Sequence, residues 1–276
     1  MARYAYRQVD VFTATALKGN PLGVVHNAEG ISDSTMASFA NWTNLSETTF
    51  LLKPTHKDAD YRVRIYTVAR ELPFAGHPTL GSCHAWLEAG GKPKGEEVVQ
   101  ECGVGLVRIR RDGKRLAFAA PALKKSGAVE PETLDQIAHC LGIQPKAIKA
   151  SNWVDNGPGF VAVMLGSRAE VLALKPDFAA MGNLRIGAIG KAEGGEIDFE
   201  IRAFVPGEGV KEDPVTGSLN AGVGQWLIGA NLAPKRYVAA QGTALGRAGR
   251  IYVEKIGSDV WVGGDSVTVI EGSTTL

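Results

Sequence analysis

The sequence predicts an α+β protein of two pseudo-repeated domains in tandem, each a sheet or barrel wrapped around a central helix. Three observations predict it: motifs that recur half a chain apart, β-rich segments in both halves, and a glycine-rich helical segment at the centre of each half.

The recurrence organises the rest. GNPLGVV begins at Gly19 and a related NGPGFVAV at Asn156, with Pro21 and Pro158 137 residues apart. HPTLGSCHAWL contains Pro78, Gly81, Ser82 and Ala85, and DPVTGSLNAGVGQWL shows the same P-x-x-G-S-x-x-A spacing 136 residues later, at Pro214, Gly217, Ser218 and Ala221. CGVGLVRI at Cys102 and QGTALGRAGRIYV at Gln241 form a weaker third pair, with Gly103 and Gly242 139 residues apart. Three matches in one order at nearly one offset place a domain over 1–122 and a second over 128–262. A C-terminal strand over 263–276 could join the first. The stretch near 120–130, PALKKSGAVEP, has the prolines, lysines and glycine of a linker.

The β-rich segments are YRVRIYTV (61–68), VGLVRIRR (104–111), FVAVML (160–165), EIDFEIRAF (196–204) and RIYVEK (250–255), dense in β-branched and aromatic residues and often alternating. Ser32 or Asp33 caps an expected helix carrying Met36, Phe39 and Ala40. Pro131 opens another in which Leu134, Ile137, Ala138 and Leu141 form one apolar face.

The glycine-rich segments behave differently. Gly81, Ser82, Cys83 and Ala85 follow Pro78, and Gly217, Ser218, Ala221, Gly222 and Gly224 follow Pro214. Each glycine costs a helix roughly 1 kcal/mol against alanine. Such a helix makes sense where strands press on it from most sides and bulk does not fit. Each has a proline near its first turn, so free N–H groups begin around the FAGHP and EDPVTGS turns.

Composition narrows the function. The 276 residues are 45% hydrophobic and 21% charged, with a formal net charge of +1 and no basic block, so neither nucleic acid nor an anionic membrane is an expected partner. The N-terminal MARYAYRQVDVF lacks the apolar stretch of a signal peptide, and no apolar run reaches the roughly 18 residues of a membrane span. Cys83, Cys102 and Cys140 form no CxxC pair, which fits a reducing cytoplasm. The five histidines form no HExxH motif, Gly103-Val104-Gly105 lacks the third glycine of a dinucleotide loop, and there is no P-loop.

A helix N-terminus attracts a carboxylate through unpaired N–H donors and the positive end of the peptide dipoles. Beside the two glycine-rich turns stand His77 in one half and Asp213 in the other, an acid–base couple near neutral pH. Glu47, in NLSETTF, starts an apolar strand, and a partly desolvated carboxylate there could carry a proton between two carbons. Each residue also has a plain structural reading: an exposed loop acid for Glu47, a core or capping histidine for His77, a helix-start aspartate for Asp213.

The strings ELPFAGHPTLG (71–81), VDVFTATALKGNPLGVV (9–25), NLSETTFLL (44–52), EDPVTGS (212–218) and QGTALGRAGRIYV (241–253) resemble the signature of PhzF-like proteins, from about residue 8 to 262. That resemblance implies a diaminopimelate-epimerase-like fold, with an active site between two halves, and a cofactor-independent isomerase or epimerase. It implies Glu47 as the carboxylate that moves a proton, His77 and Asp213 as acid–base and positioning partners, and Gly76, Gly217 and Ser218 as binders of a small carboxylate-bearing substrate. It implies no metal, nucleotide or flavin, and it suggests a homodimer. The sequence departs from the phenazine enzymes at Ser218-Leu219-Asn220-Ala221, where they carry a histidine, and at YTVAR (66–70), which lacks a proline; both bear on substrate identity. The alternatives are a non-catalytic small-molecule-binding or scaffold protein of the same fold, and a thiol-dependent racemase, which would need a cysteine at each helix start.

Overall fold

The computed structural model describes residues 2–207 and 210–276. In chain order the elements are β1 (Arg3–Val11), β2 (Asn20–Val25), α1 (Asp33–Thr43), β3 (Glu47–Leu52), β4 (Tyr61–Tyr66), β5 (Glu71–Leu72), α2 (Gly76–Glu88), β6 (Val98–Cys102), β7 (Gly105–Asp112) and β8 (Arg115–Ala119). There follow β9 (Lys125–Gly127), α3 (Pro131–Leu141), β10 (Ala150–Asp155), β11 (Phe160–Met164), α4 (Arg168–Ala173), β12 (Arg185–Lys191), β13 (Phe199–Phe204) and β14 (Glu212–Asp213). The chain ends with α5 (Gly217–Gly229), β15 (Arg236–Gln241), β16 (Gly249–Ile256), β17 (Asp259–Gly264) and β18 (Ser266–Thr275). This is the α+β class the sequence predicts. The chain divides into a first unit, running to Ala119 and completed by Gly263–Leu276, and a second, Ala120–Val262.

In the first unit the strands run β18–β1–β2–β3–β4–β6–β7–β8, parallel at β2/β3 and β4/β6 and antiparallel elsewhere, with β5 a short partner of β4. Helix α2 packs against β1, β2, β3, β6, β8 and β18, so one sheet encloses it. Nine of its residues, from Gly76 to Ala85, are buried, which explains a composition no amphipathic helix would carry. Helix α1 is the ordinary kind. Ser32 caps it by accepting from the Thr35 N–H, and it buries Met36, Phe39 and Ala40 against Phe50 and Tyr66.

The second unit repeats the plan. Its strands run β9–β10–β11–β12–β13–β15–β16, parallel at β11/β12 and β13/β15, with β14 on β13. Helix α5 packs on β10 and β16, and a Cβ at Gly224 would meet Val253 and Val260 at 2.8 and 3.1 Å. Helix α3 starts at Pro131, ends at a left-handed Gly142, and buries Ile137, Ala138, Cys140 and Leu141. Among the described residues no helix is long and apolar enough to cross a membrane.

Candidate active site

Glu47 is the first residue of β3. A left-handed Asn44 ends α1, and parallel pairing with β2 then sets Glu47 opposite Leu22. His77 is the second residue of α2. The two side chains, 16% and 4% exposed, bring Oε2 of Glu47 to 3.5 Å from Nδ1 of His77. That separation is an ion-pair contact, longer than an ordinary hydrogen bond. Gly76, buried, precedes His77 as the first residue of the helix. Ala75, the N-cap, has no side chain that could occupy the first-turn N–H groups, and no acid sits in that turn. By contrast Ser32 caps α1 and Ser167 caps α4.

A buried glutamine fastens this helix start. Gln100 Nε2 donates to Thr79 Oγ1 at 3.0 Å, Thr79 Oγ1 donates to Ala75 O at 2.9 Å, and the Tyr61 hydroxyl donates to Gln100 Oε1 at 2.9 Å. Burial pushes the Tyr61 phenol well above its usual range, so it stays a donor.

Asp213 ends β14, half-buried, and accepts from the Thr216 hydroxyl at 2.6 Å. Thr216 is the N-cap of α5, yet its side chain does not cap; the hydroxyl is turned to Asp213 instead. Gln241, fully buried on β15, plays the part of Gln100. Its Nε2 donates to Asp213 O and Thr216 Oγ1 at 3.0 and 2.9 Å, and its Oε1 accepts from the Thr216 N–H at 3.1 Å. Gly217 and Ser218 open the helix, and Asn156 Nδ2 donates to Ser218 O at 2.9 Å. The structure thus brings together Glu47, His77 and Gly76 in one unit, and Asp213, Gly217 and Ser218 in the other.

The register of the repeat differs from the one the sequence motifs propose. Ile65 of β4 pairs with Leu72, Ala203 of β13 pairs with Asp213, and in both units the helix begins four residues later, at Gly76 and Gly217. Structurally, then, Gly217 matches Gly76, Ser218 matches His77, and Leu72 matches Asp213. The P-x-x-G-S similarity is five residues out of helical register: Pro78 lies inside α2, whereas Pro214 precedes the N-cap of α5. Each helix does have a proline near its first turn, but at a different place in each. Close packing explains the true match of Gly81 with Gly222. A Cβ on Gly81 would lie 2.8 Å from Val11 of β1, and one on Gly222 would lie 2.3 Å from Val154 O of the corresponding β10. Glu47 likewise corresponds to Arg185, the first residue of β12, so the second unit does not repeat the carboxylate–imidazole pair at these positions.

Sequence reasoning missed Gln100, Gln241 and Asn220. A signal was present: each glutamine interrupts an apolar strand just ahead of the recurring Gly103 or Gly242. Those glycines serve close approach, since a Cβ would lie 2.7 Å from Pro73 Cα in one unit and 2.7 Å from Pro214 O in the other. Neither helix start carries a thiol: Gly76 and His77 open α2, and Gly217 and Ser218 open α5. Burial pushes Cys83, well inside α2, up to about 12. Among the described residues no three His, Cys, Asp or Glu side chains form a group that could hold a metal ion.

The family model for phenazine biosynthesis-like proteins matches residues 9–272. Antisense-enhancing sequence 1 of Schizosaccharomyces pombe is 35% identical over 300 residues, covering 100% of both chains. The trans-2,3-dihydro-3-hydroxyanthranilate isomerase of Pseudomonas aeruginosa is 31% identical, over 99% of this chain and 100% of that protein. A PhzF-family phenazine biosynthesis protein from Enterococcus faecalis, 24% identical, shares the fold over 100% of each chain with a TM-score of 0.84.

Proposed function

The chain belongs to the phenazine biosynthesis-like family and is an isomerase, and on that premise we propose that it moves a proton between two carbons of a small carboxylate-bearing substrate without a cofactor. Glu47 removes the proton from an activated carbon and returns it to another, so the substrate is isomerised and the carboxylate is regenerated. His77, in contact with that carboxylate, orients it and completes the acid–base pair; Asp213 is the second positioning partner. Gly76, Gly217 and Ser218 bind the substrate carboxylate through backbone N–H groups, where uncapped helix starts favour negative charge. Fixing the substrate in this way supplies orientation and stabilises charge that develops during transfer. Acid–base assistance of this kind is worth about 10²–10⁴-fold.

The observation that carries the reading is the 3.5 Å contact of Glu47 with His77 at a helix start that no side chain caps. The test is NMR in D₂O with trans-2,3-dihydro-3-hydroxyanthranilate and a panel of small cyclic amino and hydroxy acids, using wild type and Glu47→Gln. Deuterium entering a substrate with wild type and not with Glu47→Gln is the expected result. Undiminished exchange in Glu47→Gln, or no exchange with any compound, overturns the reading; the second result favours a binding protein.

A further inference from the structure

Asn220 stands at the fourth position of α5 and is fully buried. Its Nδ2 donates to Thr216 O at 2.9 Å and to Gln241 Oε1 at 2.8 Å. Those two acceptors fix the orientation of the amide, because the flipped form would set its oxygen against both. The other end of the amide is unmatched: Oδ1 is buried and has no donor among the described residues. Buried acceptors are almost always paired, and leaving one unmet is costly.

The first unit supplies the contrast. Thr79, the structural counterpart of Asn220, donates to Ala75 O and accepts from Gln100 Nε2. Its position is balanced, and that of Asn220 carries one acceptor too many. The surplus lies one turn inside a helix start that has no side-chain cap and no acid in its first turn. Backbone donors for an anion and a buried acceptor for an N–H or O–H are therefore close neighbours. That combination complements a molecule with a carboxylate and a hydrogen-bond donor on adjacent carbons.

We propose that Asn220 is a specificity-determining residue whose Oδ1 accepts a hydrogen bond from an amino or hydroxyl group next to the substrate carboxylate. The protein would on this basis select amino- or hydroxy-carboxylates over plain ones. The inference rests on the carboxylate site proposed at the start of α5, and binding alone tests it.

The experiment is calorimetric titration of wild type, Asn220→Leu and Asn220→Ala with 2-aminobenzoate and with benzoate, after thermal melts establish that each variant is folded. Wild type is expected to bind 2-aminobenzoate about 10- to 100-fold more tightly than benzoate, the range expected when a buried acceptor gains or lacks its partner. Asn220→Leu and Asn220→Ala, which lack the acceptor, bring that ratio close to one while benzoate is still bound. Equal affinities in wild type, no binding of either compound, or an unchanged ratio in Asn220→Leu overturns the proposal. Should Asn220→Leu fail to fold, wild type and the smaller Asn220→Ala still decide it. Turnover plays no part in the readout, so failed deuterium exchange and a failed affinity ratio are separate results.

Discussion

Nδ1 of His77 lies 3.5 Å from Oε2 of Glu47, and neither residue is placed by its own neighbours in the chain. Parallel pairing of β3 on β2 sets the carboxylate, and enclosure of α2 by the sheet sets the imidazole. His77→Gln keeps a polar side chain of similar reach and removes the titrating ring. Deuterium exchange into a turned-over substrate is expected to fall about 10²–10⁴-fold. Unfolding free energy should change by no more than about 1 kcal/mol by urea titration. A variant that exchanges at the wild-type rate would leave His77 a structural residue only.

Two glycines inside the central helices answer differently to one added methyl. Gly81→Ala pushes on the side chains of Leu22 and Val11, 2.6 and 2.8 Å from the new Cβ, which can yield by rotation. Gly222→Ala meets Val154 O at 2.3 Å, and a ladder carbonyl cannot. Overpacking costs typically about 1–3 kcal/mol. Gly81→Ala is expected near the lower end and Gly222→Ala at or above the upper end, measured by guanidinium denaturation.

Burial and the neighbouring Arg7 guanidinium lower the pKa of His26 to about 4. His26 Nε2 lies 3.4 Å from Arg7 Nη1, so a second positive charge there is resisted. The unfolded chain binds this proton near pH 6.5 and the folded chain only near 4. The unfolded state therefore holds more protons between those values, and stability is lost as pH falls through that window. The loss is on the order of 2 kcal/mol, allowing for solvent at the edge of the ring. His26→Gln should flatten the pH dependence of the melting temperature from pH 6.5 to 4. An unchanged slope would remove His26 as its source.

Arg202 and Glu212 form a two-pronged buried pair, Nε to Oε1 at 2.9 Å and Nη2 to Oε2 at 2.8 Å, with side chains 7% and 8% exposed. Arg202 Nη1 also donates to the Val171 and Leu174 carbonyl oxygens. Removing one partner strands a buried charge, so Glu212→Ala is expected to cost about 3–5 kcal/mol. Glu212 adjoins Asp213 on β14, so the variant should also weaken carboxylate binding. Arg202→Met with Glu212→Leu, which removes both charges, should restore most of the stability in chemical denaturation.

Much of this was legible in the sequence. The β-rich runs mark β4, β7, β11, β13 and β16, and the periodic apolar face with its proline start marks α3. The glycine content of GSCHA and GSLNAGVG announces helices enclosed by sheet, because exposed helices have no use for it. What could not be read was register. Proline and Gly-Ser spacing matched two segments that share letters, whereas the ladders and helix starts match segments that share surroundings. Gly81 and Gly222 correspond because β1 and β10 press on them, a property of packing that no local string carries. Gln100 and Gln241 stayed hidden for the same reason. A lone polar residue in an apolar strand gains its meaning from the helix start it bonds, and that partner is remote in sequence.

Leu276 and Ala2 exchange both backbone hydrogen bonds, at 2.7 and 3.0 Å, and β18 runs the length of β1 beside them. The strand that lies along one side of α2 is thus translated after the whole of the second unit, which is continuous in the chain. Order of synthesis and order of completion are consequently inverted. The later-made unit has all its strands while the earlier one still lacks an edge, and until β18 arrives the unsatisfied side of β1 is open to other partners. A nascent chain exposed as far as about residue 264 would present the second unit with all its strands and the first with a gap. Joining Leu276 to Ala2 in a circular permutant opened in an exposed hairpin such as Asp112–Arg115 would present β18 and β1 as one hairpin and remove that delay.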